Sequence, residues 1–337
     1  YLPMSYLVLA RKYRPGSFSD VAGQEHVTRT LAHAIERNKV AHAYLFCGPR
    51  GVGKTSIARI FAKALNCETG PTASPCGECT NCREITEGRS LAVLEIDGAS
   101  HNSVDNVRDL IDSFRAAPPP GSKYKVYIID EVHMLSTSAF NALLKSLEEP
   151  PANTVFILAT TEAHKIPDTV LSRCQQHNFK AIAPQIVREH LQNIAAREGL
   201  SVDDEVYAMI ARLSEGSMRD AQTLLDRVQS YCDGAITAQE ASEVLGAVDR
   251  NVLFALSRAV FEQDADAAIQ TIDLVFSRGV DSSVLFKEFV SHWRELLIAK
   301  VGGEARLREF GVSEGDVTEL MRQVTSESMS DVQDLLE

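Results

Sequence analysis

The sequence has no apolar run of the roughly 18 to 20 residues that a membrane-spanning helix needs. Its first twelve residues also lack the apolar core and the small-residue cleavage site of a secretory signal. These two absences argue against a membrane protein and a secreted protein, so we expect a soluble protein of the cytoplasm. Met4 is typical of a natural start, and we therefore expect the three residues before it to be foreign to the natural chain.

Positive charge is also scarce, because 34 Lys and Arg face 46 Asp and Glu, which gives a formal net charge of −12. A tight, nonspecific nucleic-acid binder needs clustered cations to neutralise phosphates, so the acidic balance argues against such a protein acting alone. It leaves room for DNA contacts by one local basic surface within a larger assembly. Internal repeats and low-complexity tracts are absent too, and a chain of 337 residues with 45 % hydrophobic residues predicts two or three globular domains.

The first 180 residues alternate between strand-like and helix-like segments. Short apolar runs occupy 43–47, 91–96, 126–129 and 155–158, and apolar residues recur at helical spacing over 55–66. Runs that are buried on both faces and separated by helices predict a largely parallel sheet. We therefore expect an α/β domain over residues 1–181.

Only helical patterns follow residue 184. Predicted helices at 184–198, 203–213, 218–231 and 238–245 indicate a small helical domain over 182–246. Further helical stretches at 252–262, 265–277 and 283–301 predict a third domain, also all-α, over 247–337. Because 330–337 still has a helical pattern where the sequence stops, we expect this last domain to be truncated.

A glycine-rich segment follows the first predicted strand and opens a helix, with the spacing of a phosphate-binding loop. Its small residues let backbone N–H groups surround a phosphate, and the helix N-terminus adds partial positive charge. We expect Lys54 to reach the β- and γ-phosphates and the Thr55 hydroxyl to bind Mg²⁺. The predicted nucleotide-binding segment consists of Gly48, Pro49, Arg50, Gly51, Val52, Gly53, Lys54, Thr55 and Ser56.

Two carboxylates, Asp130 and Glu131, end the predicted strand 126–129. Ligands of open parallel sheets bind at this carboxyl edge. We expect Asp130 to hold the Mg²⁺ and Glu131 to orient and polarise the attacking water of an ATP hydrolase. Thr161 lies at the end of the next predicted strand and is assigned to sense the γ-phosphate, with Thr160 as the neighbouring alternative.

Four of the seven cysteines lie within sixteen residues, in the spacing C-x8-C-x2-C-x2-C. Four thiolates at this spacing suit a closed zinc site, which is structural because no coordination position stays open. An iron–sulfur cluster is the alternative that the ligand type also permits. The predicted metal ligands are Cys67, Cys76, Cys79 and Cys82, and the other three cysteines are expected to be ordinary thiols.

Further stretches carry a family resemblance: LARKYRP at 9–15, GQ at 23–24, AHAYLF at 41–46, IDEVHML at 129–135, NALLK at 141–145, LEEPP at 147–151, SRC at 172–174 and GSMRD at 216–220. Together with the phosphate loop and the cysteines, they resemble the gamma/tau family of bacterial DNA polymerase III, the AAA+ ATPases of the replicative clamp loader. The resemblance implies an AAA+ module of P-loop core and helical lid, followed by a helical collar that oligomerises.

Roles for several residues come from this resemblance alone. It implies that Arg173 acts in trans as an arginine finger on the ATP of a neighbouring subunit. It also implies that Arg219 contacts the γ-phosphate of its own subunit's ATP from the lid. Tyr13, Arg14 and Val21 are expected near the adenine.

The resemblance also implies DNA contacts and partners. Arg108 and Lys145 would lie on core helices that face a central DNA chamber, although Arg108 could equally be an ordinary surface residue near two aspartates. The implied cofactors are ATP, Mg²⁺ and Zn²⁺. The implied partners are the delta and delta-prime subunits, further copies of this chain, the sliding clamp (beta) and primer–template DNA, with no membrane.

Three functions stay open at this point. The first is a clamp-loader subunit that hydrolyses ATP to open the sliding clamp and load it on primed DNA. The second is a scaffold that binds nucleotide without turnover, although such a subunit is expected to have lost Lys54 or the Asp130–Glu131 pair. The third is a self-assembling AAA+ DNA motor, such as a branch-migration helicase.

Overall fold

The computed structural model describes residues 6–100, 114, 117–232, 234–277 and 279–325. The chain divides into two compact units. One unit comprises residues 11–182 together with 217–219, and the other comprises residues 1–10, 183–216 and 220–337. Within the described ranges, no helix combines the length and the hydropathy needed to cross a membrane.

The first unit is built on a five-stranded sheet in the order β2-β3-β4-β1-β5, in which every neighbouring pair is parallel. The strands are β1 (Ala43–Cys47), β2 (Val93–Asp97), β3 (Lys125–Asp130), β4 (Thr154–Thr160) and β5 (Gln175–Asn178). The predicted parallel sheet is thus confirmed. Because all strands run the same way, the carboxyl ends of β1, β4 and β3 lie side by side at one edge.

Apolar side chains cover both faces of this sheet. On one face, Tyr44 and Phe46 of β1 pack with Ile57 and Phe61 of the next helix. On the other face, Leu45 packs in a separate cluster with residues of β3 and β4. The helices of this unit are Leu9–Lys12, Glu25–Glu36, Lys54–Asn66, Thr80–Glu87, Thr137–Glu148 and Asp168–Leu171, of which the first begins in the other unit.

The edge strand β5 was not predicted from the sequence. Its four residues are polar, and only His177 is buried. It pairs with β1 on one side and carries no run of apolar or β-branched residues. This strand is therefore stabilised by backbone pairing with β1 at the edge of the sheet and not by the β-propensity of its own side chains.

The second unit is entirely helical apart from one isolated bridge between Val202 and Ile236 in the described residues. Its helices are Pro184–Glu198, Asp204–Leu213, Met218–Tyr231 (from residue 220), Ala238–Leu245, Arg250–Phe261, Ala265–Ser277, Ser282–Glu309 and Glu314–Thr325. The helix predicted at 283–301 is longer than expected and breaks at Gly303, where φ is 65°. The helix Glu314–Thr325 was missed, and the predicted helix at 330–337 lies outside the described residues.

A buried polar network joins the last helices of this unit. The His292 side chain has no exposed surface, and its Nε2 lies 2.9 Å from the Ser257 hydroxyl. That hydroxyl in turn lies 2.8 Å from Oε1 of Gln323. Burial, reinforced by the positive charges of Arg250 and Arg212, lowers the pKa of His292 to about 3, so the imidazole is neutral in the folded chain.

Candidate nucleotide-binding site and metal centre

The glycine-rich loop connects β1 to the helix Lys54–Asn66, as predicted. Gly48 begins the loop with a φ of 152°, and its N–H donates to the carbonyl of Thr160 at the end of β4. A Cβ at this position would overlap the carbonyl oxygen of Phe179, which itself follows β5. Only glycine therefore lets the loop leave the sheet between its two neighbouring strands.

Lys54 lies in the first turn of this helix and is buried. Its ammonium Nζ donates to the carbonyls of Gly48 at 2.7 Å and Pro49 at 2.8 Å. Burial lowers the pKa of Lys54, whereas the nearby carboxylates of Glu131 and Asp130 act in the opposite direction. The loop thus holds a desolvated ammonium group at its centre, where it can exchange carbonyl oxygens for phosphate oxygens.

The predicted magnesium ligands are brought together. The Thr55 hydroxyl donates a hydrogen bond of 2.6 Å to Oδ2 of Asp130 at the carboxyl end of β3. A hydroxyl and a carboxylate oxygen at this separation match the hard oxygen ligands that Mg²⁺ prefers, alongside phosphate oxygens and water. The donor set therefore fits the predicted Mg²⁺ site.

Glu131 follows Asp130 in the left-handed backbone region, with a φ of 46°. Its Oε2 accepts a hydrogen bond of 3.0 Å from the Thr161 hydroxyl and lies 3.4 Å from the Thr161 backbone N. The residue predicted to activate water and the residue predicted to sense the γ-phosphate are thus bonded to each other. A positive φ strains the backbone of any residue other than glycine, and residues with such strain are concentrated at functional sites.

His133 also belongs to this site, although sequence analysis assigned it no role. Its side chain is only 6 % exposed, and its Nδ1 lies 3.0 Å from the Thr160 hydroxyl and 3.4 Å from Oε2 of Glu131. Its Nε2 lies 3.0 Å from Oε2 of Glu162. Thr160, the alternative γ-phosphate sensor, is fully buried, and its hydroxyl is hydrogen-bonded to this ring. The only signal in the sequence was the position of His133 inside the IDEVHML stretch.

Arg219 lies beside the phosphate loop and belongs to the same compact unit. Its backbone N–H donates to the Gly51 carbonyl at 3.3 Å. Gly51 has a φ of 77°, and a Cβ there would overlap the hydroxyl of Ser217. The positive charge of Arg219 also contributes to lowering the pKa of Lys54. The segment 217–219 therefore packs directly against the loop.

Arg14 lies near two other arginines, Arg59 and Arg219. Burial lowers its pKa, and the charges of Arg59 and Arg219 lower it further. Val21 is buried in the same apolar cluster as Val52 of the loop. Tyr13 is half-buried, with the ammonium of Lys12 over its ring. Arg14 thus lies within electrostatic reach of Arg219, and Val21 shares an apolar cluster with Val52, while contact of Tyr13, Arg14 and Val21 with adenine stays a prediction.

Arg173 has a different environment. It follows the short helix Asp168–Leu171, and its guanidinium donates to Oε1 of Glu148 at 2.8 Å and to the Thr169 carbonyl at 2.7 Å. Its side chain is one-third exposed. Lys145 is exposed on the helix Thr137–Glu148, and Arg108 lies outside the described residues. The surface positions of Arg173 and Lys145 are compatible with the roles implied by the family resemblance, and all three roles stay predictions.

The four clustered cysteines converge as expected for a metal centre. Their sulfur atoms all lie within 4.8 Å of one another, with Sγ of Cys76 at 3.6 Å from that of Cys67 and 4.0 Å from that of Cys82. A zinc tetrahedron with bonds of about 2.3 Å requires sulfur separations of about 3.8 Å. Against the effect of burial, hydrogen bonds from Cys76 and Thr69 lower the pKa of Cys67, whereas burial raises the pKa of Cys82, so the fit to Zn²⁺ rests on the sulfur separations. The cluster therefore fits Zn²⁺ held by thiolates.

The cysteine insert is also tied to two parts of the nucleotide-binding core. The Asn81 amide donates to the carbonyls of Asn66 at 2.8 Å and Gly121 at 2.9 Å. Oδ1 of Asn66, the last residue of the helix that starts at Lys54, accepts from the backbone N–H of Lys123 and Tyr124. The insert thus links the end of the phosphate-loop helix to the entrance of β3, the strand that carries Asp130.

Three protein-family profiles match consecutive parts of the chain. A profile described as "DNA polymerase III, delta subunit" matches residues 23–183. One described as "DNA polymerase III clamp loader subunit, ATPase lid domain" matches residues 186–234. One described as "DNA polymerase III subunits gamma and tau domain III" matches residues 236–334.

Solved structures of Thermotoga maritima RuvB, described as a Holliday junction branch migration motor, resemble the chain in fold. One such structure is 20 % identical, with a TM-score of 0.53, covering 92 % of this chain and 91 % of that one. This likeness concerns the fold alone.

Curated relatives are much closer in sequence. DNA polymerase III subunit tau of Bacillus subtilis is 44 % identical over 335 residues, which cover 99 % of this chain and 59 % of the relative. The chain therefore spans about three fifths of that relative's length. DNA polymerase III subunit gamma of Buchnera aphidicola is 39 % identical over 295 residues, which cover 88 % of this chain and 78 % of the relative. The chain thus belongs to the gamma/tau family of DNA polymerase III.

Proposed function

We propose that this chain is an ATPase subunit of the bacterial DNA polymerase III clamp loader. ATP binding and hydrolysis by the assembly would drive opening of the sliding clamp and its loading onto primed DNA. The observation that carries this proposal is the hydrogen bond of 2.6 Å between Thr55 and Asp130, with Lys54 and Glu131 close to both. The predicted phosphate loop, the predicted magnesium ligand Asp130 and the predicted catalytic carboxylate of Glu131 thus lie at one edge of the sheet, which supports the proposal.

Each of these residues has a specific task in hydrolysis. Lys54 would leave the Gly48 and Pro49 carbonyls and bind the β- and γ-phosphates. Mg²⁺, held by Thr55 and Asp130, would neutralise negative charge on the phosphates. Glu131 would orient and polarise the attacking water, which requires its carboxylate to leave the hydroxyl of Thr161.

Two arginines would couple hydrolysis to assembly. Arg219, next to Gly51, would contact the γ-phosphate of the bound ATP and report on its presence. Arg173 would leave Glu148 and reach the ATP of a neighbouring subunit, where an arginine finger stabilises charge on the transferring phosphoryl group. An active site shared in this way would be complete only in the assembled loader.

We further propose three functional regions and their partners. Residues 1–181 would form the nucleotide-binding core, residues 182–246 the lid, and residues 247–337 the collar that oligomerises. The partners would be the delta and delta-prime subunits, further copies of this chain, the sliding clamp and primer–template DNA. Zn²⁺ held by the four cysteines would contribute folding energy to an insert that buries little apolar surface.

The energetic logic is a shift between two arrangements of the assembly. ATP would stabilise the arrangement that opens the clamp and grips DNA, and hydrolysis would remove that bias. A scaffold without turnover is not favoured, because Lys54, Thr55, Asp130 and Glu131 are all retained in the expected positions. A separate DNA motor is not favoured either, because the close relatives are gamma and tau subunits.

The decisive experiment is steady-state ATP hydrolysis by this chain mixed with delta, delta-prime and the sliding clamp. The rate is measured with and without primer–template DNA. We expect strong stimulation by DNA that is lost in Arg173→Ala. A rate of ATP hydrolysis that does not change with partners or DNA would contradict the proposal and favour a self-contained motor. Absence of hydrolysis would favour the scaffold.

A further inference from the structure

One oxygen of the Glu131 carboxylate, Oε2, has two neighbouring residues in this structure, Thr161 and His133. Thr161 faces its Oε2 with both the hydroxyl, at 3.0 Å, and the backbone N, at 3.4 Å. Nδ1 of His133 lies 3.4 Å from the same oxygen. The Thr161 hydroxyl has one proton to donate, so it cannot donate to Glu131 and to a phosphate at the same time. When Thr161 turns to a phosphate, the His133 ring is the neighbouring group left beside this oxygen.

His133 itself is held firmly by its surroundings. Its Nδ1 lies 3.0 Å from the Thr160 hydroxyl, and its Nε2 lies 3.0 Å from Oε2 of Glu162. The Glu162 backbone N–H donates to the same Thr160 hydroxyl at 3.0 Å, which closes a ring of contacts. Lys165 donates to Oε2 of Glu162 at 2.8 Å and anchors the outer end of the network. The imidazole therefore has both nitrogens engaged and little freedom to turn.

The backbone adds a second constraint on the same carboxylate. Glu131 is in the left-handed region, and the 3₁₀ turn Val132–Met134 that carries His133 begins immediately after it. The strained turn places the Glu131 and His133 side chains on the same side of the carboxyl edge of β3. A catalytic carboxylate must keep its orientation to within a fraction of an ångström, because small displacements of reacting groups are costly.

We propose that His133 is a positioning residue for Glu131. The N–H of Nδ1 donates to the Glu131 carboxylate and keeps it directed into the site when Thr161 releases it to bind the γ-phosphate. The other ring nitrogen, Nε2, lies 3.0 Å from Oε2 of Glu162, and this contact holds the ring in place. The inference rests on the proposed ATPase function and adds to it a residue that acts through Glu131.

The test compares variants of His133 in the assembled loader with its clamp and DNA. His133→Phe keeps the ring but removes both nitrogens, and we expect kcat to fall roughly 10- to 100-fold through misorientation of Glu131. The KM for ATP and the Kd for a nonhydrolysable ATP analogue should change less than about twofold, because nucleotide binding uses other groups. His164→Ala, an exposed histidine in the neighbouring turn, is the matched control and should keep wild-type kcat.

A second pair of variants keeps the proposal testable when the phenylalanine variant fails to fold. The Asn side chain can place an amide near the Nδ1 position, whereas the longer Gln side chain reaches the Nε2 position. His133→Asn should therefore keep a higher kcat than His133→Gln. Equal values, the reverse order, or wild-type kcat in His133→Phe would overturn the inference. Lack of turnover by the wild-type assembly would instead contradict the proposed function.

Discussion

Thr55 and Asp130 are 75 positions apart in the chain, yet the hydroxyl of Thr55 donates a hydrogen bond of 2.6 Å to the carboxylate of Asp130. The contact arises because Thr55 follows β1 and Asp130 ends β3, while β4 lies between these strands. Parallel pairing brings all three carboxyl ends to one edge. The two oxygen ligands expected for Mg²⁺ are therefore adjacent at this edge of the sheet.

Lys54→Ala should abolish nucleotide binding, with a loss of affinity of about 100-fold or more, because the buried ammonium is the central charge of the loop. The measurement is titration with a fluorescent ATP analogue. Lys39→Ala, which removes an exposed lysine, is the control and should bind normally. Unchanged affinity in Lys54→Ala would contradict the phosphate-loop assignment.

Arg219→Ala should weaken ATP binding and reduce turnover, because its side chain starts next to Gly51 and carries charge toward the phosphates. ADP affinity should change much less than ATP affinity, since ADP lacks the γ-phosphate. Arg227→Ala removes an exposed arginine of the same helix and serves as the control. Equal losses for ATP and ADP would exclude a sensor of the γ-phosphate.

Arg173→Ala should leave ATP affinity nearly unchanged while reducing turnover of the assembled loader by about 10³-fold or more, as expected for an arginine finger. Glu148→Gln removes only the charge that pairs with Arg173 here, and it should preserve turnover. Both variants are assayed for binding and for hydrolysis in the assembly. Parallel losses of binding and hydrolysis in Arg173→Ala would argue against action in trans.

The cysteine cluster should hold about one zinc ion per chain, measured by elemental analysis. Cys76→Ala should lose the metal and lower the melting temperature, because zinc supplies folding energy to this insert. Cys232→Ala, outside the cluster, should retain the metal. Loss of zinc should also speed amide exchange at Lys123 and Tyr124, which are bonded to Asn66. Iron with visible absorbance would overturn the zinc assignment.

His292 should make the folded chain less stable as the pH falls. The pKa of His292 is about 3 in the folded chain and near 6.5 in the unfolded chain. At a pH between these two pKa values, His292 binds a proton in the unfolded chain but not in the folded chain. The free energy of unfolding should therefore drop by about 2 kcal/mol from this group between pH 7.5 and pH 5, and the loss should be absent above pH 7.

His292→Asn should reduce this pH dependence, whereas His164→Asn, at an exposed position, should leave it unchanged. Urea unfolding at several pH values measures the effect. An identical pH profile in wild type and His292→Asn would show that the buried histidine does not titrate as inferred. The absolute stability of the Asn variant is a separate quantity, since Ser257 and Gln323 lose part of their network.

Most of the strands and helices that have a regular apolar pattern were predictable from the sequence, whereas the strand β5, which has no such pattern, was not. β1 and the helix Pro184–Glu198 have the predicted bounds, because each buries a regular set of apolar side chains. β5 has a single buried side chain, that of His177, and depends on pairing with β1. The helix Glu314–Thr325 was missed although Val317, Leu320 and Val324 are buried at the spacing i, i+3 and i+7 that is typical of an amphipathic helix, so its signal was present in the sequence but was not used.

The sequence by itself determined the chemical inventory of this protein. The spacing of the glycine-rich loop, the Asp130–Glu131 pair and the four cysteines are local patterns, and local chemistry requires them to be contiguous or nearly so. The tertiary structure decided which of these groups meet. It paired Thr55 with Asp130, placed Arg219 against Gly51, and bonded Glu131 to Thr161.

The tertiary structure also places His133 between the carboxylates of Glu131 and Glu162. These relationships depend on strand order and on a strained turn after β3, which the sequence does not encode in any short pattern. Side chains from distant segments approach one another only after the sheet is assembled, because backbone pairing sets their register and spacing. Short sequence patterns thus determine which residue types are available to a site, while the folded chain determines the distances between them.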